Sequence, residues 1–195
     1  MQILKFDDLI EVPWRNGGGI TRNIAKGLHL DQAAWTISRA DVAQDGPFSD
    51  FAGMVRVLTV VSGSIMTLET PTASIDARPW EPVRFDGGLK VNSRLADGPL
   101  TDLNLMFNPQ LCEGEVRTRR RPLVCDLPRP NKGLLAFHGL AGMPKVNGTA
   151  IAIGDTAFVA QPNAALTLAE GDALLEIRLT YLDHSKAITL CIAER

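Results

Sequence analysis

Turn signals punctuate this chain at short intervals: GGG at 17–19, DG at 45–46, SG at 62–63, ETPT at 69–72, DGG at 86–88, DGP at 97–99, NG at 147–148 and GD at 171–172. Between them lie short β-branched and apolar runs. Strands separated by turns every roughly 8–12 residues are the pattern of an all-β sandwich or barrel, and few helices are expected.

The runs carry strand periodicity. LKVNSRL (89–95) sets Leu89, Val91, Ser93 and Leu95 against Lys90, Asn92 and Arg94, one dry face and one wet. ALLEIRLTYL (173–182) sends Leu175, Ile177, Leu179 and Tyr181 one way and Glu176, Arg178 and Thr180 the other. VRVLTVV (55–61) is apolar on both faces and is expected to lie centrally, with Arg56 on the face of Leu58 and Val60.

LTVVSG (58–63) and LLAFHG (134–139) both run apolar into a glycine turn, and each leads to a proline-bearing apolar segment and then a pair of alternating strands. Two β-units of similar plan follow, a first within 1–110 and a second within 111–195. VRTRRRPLVCDLPRPNKG between them reads as a solvated connection, with Arg119, Arg120 and Arg121 in water rather than on nucleic acid.

With 195 residues, 45% of them hydrophobic, the chain can fill a core, and a formal net charge of -2 supplies no positive field for nucleic acid or an anionic membrane. MQILKFDDLIEV has no basic start followed by an apolar run, and no stretch reaches the roughly 20 apolar residues of a bilayer span, so a cytoplasmic location is expected. Cys112, Cys125 and Cys191 are odd in number and far apart, which favours reduced thiols.

The glycines of VPWRNGGGITRNI (12–24) fit neither a phosphate loop, which needs Gly-Lys-Ser/Thr, nor the dinucleotide fingerprint, whose sixth place falls on Arg22. Glycine does permit positive φ and close backbone approach. The stretch is expected to fold over a site and bring Arg15, Asn16, Thr21 and Arg22 to it.

PWRNGGGITRNIA, WTISRADVAQDGPFSDFAGMVRVLTVVSG, FDGG and LADGPLTDLNLM resemble the HutD/Ves family, in ordered blocks across roughly 12–107. The resemblance implies a double cupin, an RmlC-like jelly roll with two small β-barrels in one chain. It also implies association with bacterial histidine utilisation, in a ligand-binding or regulatory role. Two places depart from the family pattern: Leu103 stands for a Phe, and Phe107-Asn108 stands where a Thr-Arg pair follows the Met.

Against the cupin metal motif, counting back from Gly63 puts Arg56 at the glutamate place, and GPFSDFAGM holds no histidine. A guanidinium cannot ligate a metal, and His29, His138 and His184 are scattered, so neither metal nor cofactor is expected. Arg56 beside Leu58 and Val60 needs an acid partner or an anionic ligand. Asp102, Asn104 and Met106 share one face of TDLNLMF. A pocket of Arg56, Asp102 and Asn104, lidded by Arg15 and Asn16, suits a small carboxylic acid; the plainer alternative is an Arg56–Asp102 pair across the sheet. DGPFSDF reads as a turn with Phe48 and Phe51 as plugs. Thr36 and Ser38 oppose Trp35, Ile37 and Arg39, and either row could face inward.

Function therefore divides three ways. A small-carboxylate sensor or regulator has Arg56 as its signature. A metal-independent isomerase or epimerase, moving a proton, needs His29 or His138 in the pocket. A homodimer through edge strands is compatible with the first.

Overall fold

The computed structural model describes residues 1–182 and 188–193. Its strands form four antiparallel sheets. A seven-stranded sheet runs in the order Glu11–Pro13, Gly19–His29, Gln32–Val42, Leu100–Phe107, Val55–Ser62, Val83–Asp86, with Thr189–Ile192 beside Gly19–His29. A five-stranded sheet runs Gln2–Leu4, Thr156–Phe158, Gly133–Ala141, Ala173–Tyr181, Cys112–Arg119. Each large sheet carries a four-stranded partner. One comprises Gly46–Pro47, Asn92–Leu95, Met66–Glu69 and Ser74–Ala77; the other comprises Leu123–Pro128, Asn163–Leu168, Lys145–Val146 and Thr149–Ala150. Phe6–Asp8 forms a single 3-10 turn.

Alternation explains the layering. Val42, Leu58, Val60 and Leu100 from the seven-stranded sheet pack on Met66, Leu68 and Ala77 of its small partner. Leu135, Phe137 and Leu174 pack on Val146, Ala164 and Leu166 of the other. The opposite faces of the large sheets meet: Trp35, Ile37, Leu103, Leu105 and Phe107 against Leu134, Ala136, Leu175, Ile177 and Leu179. Both large sheets are thus buried on both sides, which is why 55–61 is apolar on both faces save at Arg56 and Thr59. The terminal strands cross between them, Gln2–Leu4 joining Thr156–Phe158 and Thr189–Ile192 joining Gly19–His29.

The hairpin from Gly19–His29 to Gln32–Val42 turns through Leu30 and Asp31, both at positive φ (49° and 63°), the handedness that a two-residue turn between twisted strands requires.

The Arg- and Pro-rich stretch is not a bare connection. Cys112–Arg119 is an edge strand of the five-stranded sheet and Leu123–Pro128 an edge of its partner. Cys112, Gly114 and Val116 point inward and Glu113, Glu115 and Arg117 outward, an alternation hidden by the charged composition. Arg120 and Arg121 are exposed. The strand also bears on Glu176, which alternation sets on the face opposite Leu175 and Ile177. Glu176 is buried, because Arg119 (Nη2 to Oε2, 2.7 Å) and Arg178 (Nη2 to Oε1, 3.1 Å) neutralise it. Gly46–Pro47, read as a turn, forms a short strand against Asn92 and Ser93.

Candidate functional site

Register across four strands of the large sheet builds a polar face. Asp102 lies opposite Val60 and Ala40, and Ala40 opposite Thr21. Asn104 lies opposite Leu58 and Ser38, and Ser38 opposite Asn23; Met106 lies opposite Arg56 and Thr36, and Thr36 opposite Lys26. Registered partners project to the same side. Leu58 and Val60 belong to the core beneath the small sheet, so these rows face the interior of that sandwich. Thr36 and Ser38 are therefore the inward row, and Arg39 points with Trp35 and Ile37 to the layer between the large sheets.

Within this face the structure brings together three of the expected residues. Arg56 Nε donates to Asn104 Oδ1 at 2.7 Å, and Asn104 Nδ2 donates to Asp102 Oδ1. All three are buried, at 8%, 3% and 1% exposure. The Arg56 guanidinium sits 4.3 Å from the Phe48 ring centroid and 5.6 Å from that of Phe85, so Phe48 is a plug as expected, whereas Phe51 is exposed. Burial lowers Arg56 to about 10, with Asp102 opposing that fall. Burial also pushes the Asp102 carboxyl up to about 6, outweighing Arg56 and the Asn104 hydrogen bond, and its Oδ2 is buried without a hydrogen-bond partner. Arg56 and Asp102 are thus linked through an amide rather than as a direct pair.

The glycine-rich stretch lies elsewhere. It forms the tip of the hairpin between Glu11–Pro13 and Gly19–His29, beside Val42 and Leu100. Leu100 and the Met106–Arg56 row are separated by six strand residues, roughly 20 Å along the sheet. Arg15 and Asn16 are exposed there, and Asn16 Oδ1 accepts from the Gly18 amide at 3.0 Å. They do not join the Arg56 row as a lid, because the hairpin ends at the opposite edge of the strands. Thr21 is in the Asp102 row, its hydroxyl accepting from Trp14 Nε1 at 2.7 Å. Arg22 turns to the other face, bonded to Asp41 and Glu11. The glycines serve the turn: Gly17 has φ 70°, and a Cβ on Gly19 would lie 2.3 Å from the Asp41 carbonyl oxygen.

One part of the site escaped sequence reasoning. Asn23, Lys26 and Thr36 line a groove of about 780 Å³ with Leu190, Cys191 and Ile192, and Thr36 Oγ1 is buried without a hydrogen-bond partner. Alternation from Thr21 and Asn23 would turn Ala25 inward. A β-bulge between Asn23 and Ala25 adds a residue, so Lys26 rather than Ala25 stands opposite Thr36, at the exposed edge of that face.

His138 stands on the five-stranded sheet, its Nδ1 2.9 Å from Thr156 Oγ1 and its Nε2 buried without a partner. Burial first, then Arg39, hold it at about 3. His29 ends the strand Gly19–His29, and His184 lies outside the described residues. Among the described residues no three His, Cys, Asp or Glu side chains gather as a metal-binding group, and no helix is long and apolar enough to cross a membrane. Phe107 is buried between the large sheets and Asn108 starts a turn, its amide donating to the Ala34 carbonyl at 2.8 Å.

The architecture matches that of HutD from Pseudomonas fluorescens SBW25, solved in a formate condition: TM-score 0.82 and 28% identity, over 93% of this chain and 98% of that one. YhhW of Escherichia coli shares the fold at 8% identity, with TM-score 0.67 over 94% of this chain and 99% of that one. The fold is a double cupin. In sequence, the chain is 36% identical over 118 residues to an uncharacterized 21.2 kDa protein in the hutC 3' region of Pseudomonas putida. The match spans 56% of this chain and 60% of that protein, so less than two thirds of the relative's length is covered. The HutD family model matches residues 7–176, most of the chain and both sandwiches, and on that match the chain belongs to the HutD family.

Proposed function

We propose that this protein binds a small carboxylic acid on the inner face of its seven-stranded sheet and acts as a sensor or regulator tied to histidine utilisation. One observation carries the reading. Arg56 is buried, yet among the described residues it spends only Nε, on the neutral oxygen of Asn104; no carboxylate lies within ion-pair distance of its fork. A desolvated guanidinium of that kind is suited to a carboxylate, which it can hold with two parallel hydrogen bonds. The hutC-adjacent position of the P. putida relative supports the pathway.

The test is thermal and calorimetric titration with formate, urocanate and N-formylglutamate. An acid at about a hundred times its dissociation constant should add near 2.7 kcal/mol to stability, and Arg56→Gln should abolish that gain. Failure of every carboxylate to protect the wild type would end the reading.

A second reading, proton transfer on such an acid, draws on Asp102 rather than on histidine. A buried carboxyl near 6 can both hold and release a proton around neutrality. Ligand-dependent exchange of a carbon-bound proton into deuterated water is its signature.

A further inference from the structure

Resting on the carboxylate reading above and extending it to how the buried site is reached, we infer that Phe48 is a gate. A cleft on the outer side of the small sheet is the way in to Arg56, and the Phe48 ring closes it.

The cleft, about 550 Å³, lies at one end of the small sheet beside Pro47, Phe48, Asp50, Pro71, Leu89 and Lys90. Pro47, Asn92 and Glu69 form a single row across the strands Gly46–Pro47, Asn92–Leu95 and Met66–Glu69. Pro47 and Asn92 are exposed while Ser93 and Leu68 are buried, so this row faces outward. Phe48 is the next residue along and turns in. Its ring packs on the core beneath the small sheet, with the centroid 4.3 Å from the Arg56 guanidinium carbon. One side chain therefore borders both the open cleft and the buried cation.

Two rings flank Arg56, and their settings differ. Phe85 stands opposite Arg56 in the ladder of the seven-stranded sheet and is fixed by that pairing. Phe48 follows a two-residue strand at the edge of the small sheet, which pairs on one side with Asn92–Leu95. Beyond it residues 49–53 are exposed. The backbone is anchored on either side, by the Phe48 amide on the Val91 carbonyl and the Phe51 amide on the Gly87 carbonyl, both at 2.9 Å. Opening is thus a rotation of the Phe48 side chain between staggered wells, with the main chain in place. A ring over the guanidinium covers its face and leaves the in-plane Nη donors for a carboxylate. The closed ring keeps water from a bound acid, and the open ring admits it.

Phenylglyoxal, which adds to guanidinium groups, reports access to Arg56 without any carboxylate, read arginine by arginine by peptide mass spectrometry. A gate open for about a tenth of the time or less predicts labelling of Arg56 at least about tenfold faster in Phe48→Ala than in the wild type. Arg22, buried on the opposite face of the sheet, should keep its wild-type rate and so reports any general loosening. Lys90→Trp, which fills the cleft from its exposed rim, should remove the acceleration when added to Phe48→Ala. Phe48→Leu, an apolar plug without the ring, should fall between and carries the comparison if the alanine variant does not fold. No rise at Arg56 in either variant, a rise that Lys90→Trp leaves intact, or Arg22 rising in step with Arg56 in both variants overturns the gate. A gated Arg56 that no carboxylate shields from the reagent ends the carboxylate reading and leaves the gate standing; carboxylates that shield an ungated Arg56 do the reverse.

Discussion

Arg56 hydrogen-bonds Asn104 on the diagonal, one pair away from Met106, the residue opposite it in the ladder. Asn104 thereby stands between a buried guanidinium and a buried carboxyl, accepting from one and donating to the other. Asn104→Leu keeps the volume and removes both links, leaving two ionisable groups buried without partners. The expected cost is about 3 kcal/mol or more in urea unfolding, and a loss below about 1 kcal/mol would mean the two groups had found other partners.

Asp102 gives a pH dependence of definite sign. Its folded value, about 6, is raised above the ordinary carboxylate value of 3.8, chiefly by burial. The folded state therefore holds this proton more tightly than the unfolded state, and the protonated carboxyl favours folding. That contribution is fully present below about 4 and is lost as pH rises through about 6. Measured against Asp102→Asn, the wild type should lose relative stability between pH 4 and 6, by at most about 1.4 kcal/mol per pH unit, and stay level above 7.

His138 runs the other way. Burial and Arg39 depress its folded value to about 3 from the ordinary imidazole value of 6.5. The unfolded chain takes up the proton first, so stability is present above about 6.5 and is lost as pH falls toward 3. Against His138→Gln, the wild type should weaken on acidification over that window; a flat difference curve would show that the ring reaches water.

Gly27 lies opposite Trp35, and a Cβ on Gly27 would fall 2.1 Å from the indole Nε1, whose hydrogen goes to the Tyr181 hydroxyl at 3.1 Å. Gly27→Ala must displace the ring from the layer between the large sheets. Overpacking of this kind costs typically 1–3 kcal/mol, occasionally more. Urea unfolding and a changed tryptophan emission should both report it, while Gly53→Ala, where a Cβ meets open space at φ 83°, should cost less.

Much of the fold was legible along the chain. Two-residue alternation assigned Val91 and Ser93 to a dry face and set Leu175 and Ile177 together on one side, and all four are buried, as is the doubly apolar run 55–61 on both sides. The juxtaposition of Arg56 with Asp102 and Asn104 was legible for the same reason, since each follows from the parity of its own strand. The burial of Glu176 was not legible, because parity says nothing about a neighbour strand that supplies Arg119.

By itself, then, the sequence determined the strands, their faces and the burial of an arginine where apolar neighbours surround it, because side-chain direction in a strand is a local property with period two. Tertiary structure alone decided how the strands align. Register placed the Arg15–Asn16 hairpin at the far end from Arg56, and a bulge in Gly19–His29 set Lys26 rather than Ala25 opposite Thr36. Both depend on hydrogen bonds between residues distant in the chain, and no local periodicity carries that information.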